Sequence, residues 1–348
     1  MTDLTLGENL MIWALSAIVA LWVFALGANL GSFLNVVVYR MPRGMPLALS
    51  LSRCPKCANP IAARDNIPII SWLRLRGRCR ACGQPISARY PLVEAAVGGL
   101  FVIVFFWELL SGGWNLPLRP PNRAGFVELF ATTRWVLIGI AAVHACLLYL
   151  LLGIALMQAD RRVVPWKWIA AGMILGLAAS PLQLMTVDGE LSPIVRSSLA
   201  SSPWEVYGGA MLASAAGLAC GAAWGTLLTT LERPTERRRR SALVRAVPAA
   251  MALVGLFLGW QAATSVALVT ILIWFLGWGG TLARPKLRHV SLSGYILAAT
   301  VLHLLTWRWQ AAIPLWPSHH TSPIAIVAVC IAAAGLVLLN KGRVRENA

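Results

Sequence analysis

Cys54-Pro55-Lys56-Cys57 and, after a basic spacer, Cys79-Arg80-Ala81-Cys82 are set between two apolar runs, Leu10–Val38 and Val93–Leu110. Each Cys-x-x-Cys pair offers two sulfurs at one bite. Pairs about twenty residues apart let four thiolates close a tetrahedron around one zinc ion. The spacer carries Pro60, Pro68 and Gly77, which suits a loop-rich knuckle better than a packed helix. The spacing predicts Cys54, Cys57, Cys79 and Cys82 as structural zinc ligands. The alternative is four free or disulfide-paired cysteines.

Outward from the knuckle, the chain of 348 residues is 58% hydrophobic and 12% charged. That composition excludes a soluble domain and predicts an all-α polytopic membrane helix bundle. Nine apolar runs stand out: Leu10–Val38, Val93–Leu110, Trp135–Met157, Trp168–Leu184, Tyr207–Thr230, Val247–Trp260, Ala263–Leu282, Leu292–Trp307 and Ile324–Asn340. The sixth is short. The first follows a start bearing Asp3 and Glu8, without a basic region or a small-residue cleavage site, so it is expected to be retained as a span.

The net charge of +17 is a matter of orientation and gives no reason to expect a nucleic-acid partner. Ten Lys and Arg residues fall in the loop Tyr39–Leu92, three in Ser111–Arg134, and six in Leu231–Arg245, where Arg237–Arg240 form a run. The Met185–Val206 loop has Arg196 alone, beside Asp188, Glu190 and Glu205. Rich and poor loops alternate. The positive-inside rule then puts the N-terminus outside, and the C-terminus and the cysteine domain in the cytoplasm. A reducing compartment favours metal over disulfide for the four thiols.

Cys146, Cys220 and Cys330 lie within spans and read as small packed residues. Gly217, Gly221 and Gly225 repeat a G-x-x-x-G spacing, which allows close helix contact, within the chain in preference to a dimer. His144 and His303 also fall within spans, and intramembrane His144 is a site candidate.

Residues Gly31-Ser32-Phe33-Leu34-Asn35 through Tyr39-Arg40-Met41-Pro42, the two knuckles, Asn66-Ile67-Pro68, Ser71-Trp72 and Ile86-Ser87-Ala88-Arg89-Tyr90-Pro91-Leu92-Val93-Glu94 form a dense, ordered motif. It closely resembles the N-terminal region of bacterial prepilin peptidases, the leader peptidase and N-methyltransferases of type IV pili and type II secretion. The resemblance implies a multi-pass protein of the bacterial inner membrane. It implies leader cleavage of prepilin or pseudopilin N-terminal segments, then methylation with S-adenosylmethionine. It also marks Gly31, Ser32, Asn35 and Arg40 as a substrate or methyl-donor region. The expected parts are a first span (1–38), a cytoplasmic zinc-knuckle domain (39–92), a peptidase-like membrane domain (93–290), and C-terminal spans with a basic tail (291–348). Membrane lipid surrounds the whole.

The family's peptidase half needs two aspartates, because one carboxylate activates water while the other protonates or polarises. Counting from Pro165 puts Gln158 at the first position, with Asp160 two residues on. Counting back from Gly255-Leu256-Phe257-Leu258-Gly259-Trp260-Gln261 puts Ala246-Val247 where a Gly-Asp pair belongs, and the chain contains no Gly-Asp. Asp160 is the one catalytic candidate. Its other reading is a helix-end carboxylate beside Arg161 and Arg162, and the nearest further acids are Glu232 and Glu236. The expectation is a family member that processes prepilin-like substrates with a degenerate peptidase half, or a non-catalytic scaffold in pilus or secretion assembly.

Overall fold

The computed structural model describes residues 6–47, 52–54, 56–116, 135–180, 182, 203–232, 237–283, 290–318 and 321–346. Among these the regular structure is helical, with two isolated β-bridges. The helices are α1 (Leu6–Arg40), α2 (Ile70–Arg74), α3 (Arg89–Val104), α4 (Trp135–Ala159), α5 (Trp166–Ala179), α6 (Pro203–Leu228), α7 (Arg237–Leu258), α8 (Trp260–Ala283), α9 (Leu292–Ala311) and α10 (Pro323–Glu346). Among the described residues, the greater part of each of the nine expected apolar runs is helical. Five stretches are long and apolar enough to cross a membrane: Leu6–Arg43, Arg89–Leu110, Trp135–Ala159, Gly208–Leu231 and Arg239–Leu258. Shorter apolar helices cover Trp166–Ala179, Trp260–Leu276 and Ile324–Leu338. This is a polytopic membrane helix bundle.

The chain forms two compact units, Met1–Phe106 and Trp107–Ala348. In the first, α1 lies along α3 so closely that only glycine fits. A Cβ on Gly27 would stand 2.8 Å from Gly98 Cα, and one on Gly31 would stand 2.8 Å from Glu94 Cα. Leu10, Trp13, Ile18, Leu21 and Trp22 on the other faces of α1 are exposed, as lipid-facing side chains are.

In the second unit the closest pair is α6 and α7. Cβ atoms on Gly217 and Gly221 would lie 2.1 Å from Gly255 O and 2.0 Å from Met251 O, so the G-x-x-x-G face is taken up by backbone-to-backbone contact within the chain. Gly259, with φ +86°, is the one residue between α7 and α8.

The arginine run departs from expectation. Arg237–Arg240 is helical, not loop, because α7 begins ten residues before Val247. Ala242, Leu243, Ala246 and Val247 are buried, whereas Arg239, Arg240, Val244 and Arg245 are exposed. Arginine is a good helix former, and one apolar face suffices to carry the helix outward. The fourth run is also shorter than expected, with α5 stopping at Ala179. The Met185–Val206 loop acids, Glu236, His289, His319 and His320 lie outside the residues described by the structure or its side-chain placements.

Candidate metal centre and carboxylate positions

The four cysteines converge. Their sulfurs all lie within 4.8 Å of one another, with Cys54 Sγ and Cys82 Sγ 4.0 Å apart. Four sulfurs at tetrahedral metal–sulfur distances of about 2.3 Å stand about 3.8 Å apart, so the cluster fits one ion after small adjustments. Two matching turns build it. Cys54 N donates to Asn59 O (3.0 Å) and Ala58 N to Cys54 O (2.9 Å). In the second turn Cys79 N donates to Gln84 O and Gly83 N to Cys79 O, both at 2.9 Å. Each turn closes on a bridge, Arg53 with Pro60 and Arg78 with Pro85. Ala58 and Gly83 occupy the same left-handed position, with φ of 59° and 68°. Backbone N–H groups of Cys57 and Lys56 pull the Cys54 thiol down to about 6, toward the thiolate that a metal takes. The cluster could hold a metal ion.

Asp65 ties the spacer to the second turn. Its carboxylate accepts from Arg80 Nε (2.7 Å) and Nη2 (2.8 Å), and from Arg74 Nη2 (2.9 Å). The Arg80 hydrogen bonds hold it down at about 2. Trp72 Nε1 donates to Ile86 O at 3.0 Å, bringing the strand-like return of the second turn onto the spacer.

The family-motif residues at the base of α1 have local structural work. Gly31 meets the backbone of α3, and Ser32 is half-buried. Asn35 Nδ2 donates to Tyr90 O at 3.2 Å, and Arg40 Nη1 reaches Pro46 O at 3.5 Å. Glu94, buried, accepts from Ile69 N at 2.7 Å. Ile69 has φ +62°, so this bond secures a strained residue where the knuckle returns toward α2. Glu94 closes the sequence motif but did not stand out as a site residue, because its partner is a backbone N–H.

The described residues between Gly31 and Glu94 are thus tied to one another, and they lie within a known domain. The family model described as the Bacterial Peptidase A24 N-terminal domain matches residues 25–108. The prepilin leader peptidase/N-methyltransferase of Klebsiella pneumoniae is 35% identical over 193 residues, covering 53% of this chain and 72% of that protein. The chain belongs to the prepilin leader peptidase/N-methyltransferase family. The relative of that name from Myxococcus xanthus is 38% identical over 164 residues, which are 47% of this chain and 41% of that protein. One from Neisseria gonorrhoeae is 44% identical over 114 residues, 26% of this chain and 38% of that protein. The chain therefore spans well under two thirds of several of the curated relatives that it matches. No solved structure is a significant match.

Within this prepilin peptidase family member, the residues at the two counted positions, Gln158 and Val247, are both buried. Gln158 is buried near the end of α4, and its Oε1 accepts from Ser293 N, in the first turn of α9, at 2.9 Å. Val247 and Ala246 are both fully buried in α7. Asp160 follows the last residue of α4, half-buried, with its N–H donating to Leu156 O at 3.0 Å. That bond closes the last turn of α4, which ends at Ala159, and the chain turns at Arg161 (φ +54°). Glu232 is half-buried, and burial pushes its carboxyl up while Arg239 opposes the shift.

A second polar group sits elsewhere in the larger unit. His144 Nδ1 and Glu108 Oε1 are 2.6 Å apart, both residues buried. Asn115 Nδ2 donates to Leu304 O at 2.9 Å. His303 Nδ1 lies 2.7 Å from Gln310 Oε1 and 3.1 Å from Ser265 Oγ, which accepts from Trp316 Nε1 at 2.8 Å. The ring of Trp307 stands 6.2 Å from that of His144 and 5.0 Å from that of His303. The sequence marked His144 as a candidate but not His303 or Glu108. Glu108 lies in a π-helical turn, Phe105–Leu110, which departs from the helical period that sequence reading assumes.

Proposed function

We propose that this chain is a membrane protein that engages prepilin or pseudopilin N-terminal segments through its knuckle-bearing N-terminal region, without cleaving them by aspartyl chemistry. The observation that carries this reading is the pair Gln158 and Val247. One is committed by its side-chain carbonyl to Ser293 N, and the other is sealed in apolar packing. Neither side chain exchanges a proton near neutral pH, and losing an acid–base group commonly costs a factor of about 10² to 10⁴. The knuckle carries structural zinc on Cys54, Cys57, Cys79 and Cys82, since four thiolates are the donor set zinc prefers. Gly31, Ser32, Asn35 and Arg40 form the base against which a prepilin neck or S-adenosylmethionine is held. The N-terminus lies outside the inner membrane, and the knuckle and C-terminus lie in the cytoplasm.

The scaffold reading, in which the chain binds such segments and modifies nothing, rests on the same two positions. Asp160 remains the one carboxylate through which cleavage could return. Co-expression with a prepilin, read by intact mass, separates the readings. Methylation of a pilin segment supplied already free of its leader supports a surviving transferase, and neither leader loss nor methylation supports a scaffold. Leader loss that disappears in Asp160→Asn overturns the proposal.

A further inference from the structure

A cleft of about 530 Å³ opens in the larger unit, lined by Val163, Arg240, Ser241, Val244 and Arg245. Its volume is that of an ordinary ligand site, about 300–1,000 Å³. Four of the five lining residues come from α7 at positions i, i+1, i+4 and i+5, which share one face of a helix. Val163, from the connection between α4 and α5, closes the other side. Two arginines, one serine and two valines therefore line it among the described residues, and no carboxylate is among these lining side chains. Glu232 is a neighbour of Arg239, which does not line the cleft.

The place of the cleft near the start of α7 points to what enters it. Arg239–Leu258 is long and apolar enough to cross a membrane. Arg245 lies six residues into that stretch, about 9 Å along the axis. Val244 is 53% exposed beside it. Arginines in the first two turns of such a stretch favour an anionic partner at the membrane surface, and a valine facing outward beside them favours a hydrocarbon one. A phospholipid supplies both in one molecule. We propose that the cleft binds an anionic glycerophospholipid, its phosphate between Arg240 and Arg245, with Ser241 Oγ donating to it and an acyl chain against Val244 and Val163. The lining follows Gln158 by five residues and precedes Val247 by two, so positive charge stands next in sequence to both positions assigned to family aspartates.

The test uses the purified full chain in detergent, with phosphatidylglycerol and phosphatidylcholine of matched acyl chains, read by native mass spectrometry. Phosphatidylglycerol should be retained about tenfold more strongly, and Arg240→Gln/Arg245→Gln should bring it to the phosphatidylcholine level. Val244→Trp keeps both charges but fills the cleft. It should lose the preference too, and it decides the matter if the double variant does not fold. Arg76→Gln/Arg78→Gln, in the knuckle, should retain the preference. Equal retention of the two lipids by the wild type overturns the proposal, as does a preference that survives in a folded cleft variant or is lost in the knuckle variant. Displacement of phosphatidylglycerol by millimolar inorganic phosphate also overturns it, by assigning the cleft to a soluble anion.

Discussion

At the scale of single residues, Gln158 is a buried polar side chain whose partner lies far along the chain. Its side chain reaches the amide of Ser293 and joins the end of α4 to the start of α9. An aspartate there is one methylene shorter and falls short of that amide. Gln158→Asp should cost about 1–3 kcal/mol, the usual result of leaving a buried N–H without its acceptor. It should also release no prepilin leader, because Val247 offers no second carboxylate. Thermal unfolding in detergent and a leader-release assay check the two halves, and leader release by this single variant would show that another acid completes the site. Cys79→Ser acts on a different residue set. With one of four sulfurs gone, the bound metal should fall from about one ion per chain toward zero, measured by elemental analysis of the purified protein. Full metal content in that variant would remove Cys79 from the ligand set.

At the scale of elements, two contacts decide how the parts meet. The first is the α6–α7 pair. A methyl on Gly221 would stand 2.0 Å from the carbonyl oxygen of Met251, and a backbone atom cannot swing aside as a side chain can. Gly221→Ala should therefore destabilise the chain by at least about 1–3 kcal/mol. Gly208→Ala, on the same helix and with open space around it, should be neutral or slightly stabilising. Equal melting temperatures for the two variants would contradict the contact. The second is the Asp65 clasp on Arg80 and Arg74. The carboxyl is held at about 2, below its ordinary value near 4, so its stabilisation is complete above pH of about 4 and is lost as the pH falls through about 2. Asp65→Asn should melt earlier than wild type at neutral pH, and the gap should close across that acid window. A gap that stays constant to pH 2 would mean that the ion pairs contribute nothing to the knuckle.

At the scale of the whole molecule, the alternation of basic-rich and basic-poor loops predicts a side for each end of the chain. A reporter that is active only in the cytoplasm, fused after Ala348, should be active, and the same reporter fused before Met1 should be silent. The reverse pattern would turn the knuckle outward and with it the metal argument, since thiols on that side meet an oxidising medium. The positions of the nine helical runs were legible because twenty or so apolar residues can satisfy their backbones in lipid only as helix. The start of α7 was not legible. The arginines at its beginning read as loop, but their helix is held by Ala242, Leu243 and Ala246 on the opposite face.

By itself, the sequence determined the membrane class, the cysteine cluster and the family, because each depends on residue type at fixed spacing. Length and hydropathy make spans, and two Cys-x-x-Cys pairs make a four-sulfur site. The matching turns could also have been read there, from Ala58-Asn59-Pro60-Ile61 against Gly83-Gln84-Pro85-Ile86. Only the tertiary structure decided what the polar residues do. Glu94 serves Ile69 N, Gln158 serves Ser293 N, and Glu108 meets His144, across separations of 25, 135 and 36 residues. A hydrogen bond depends on distance and direction in space, and no local pattern along the chain records which distant donor a buried acceptor will meet.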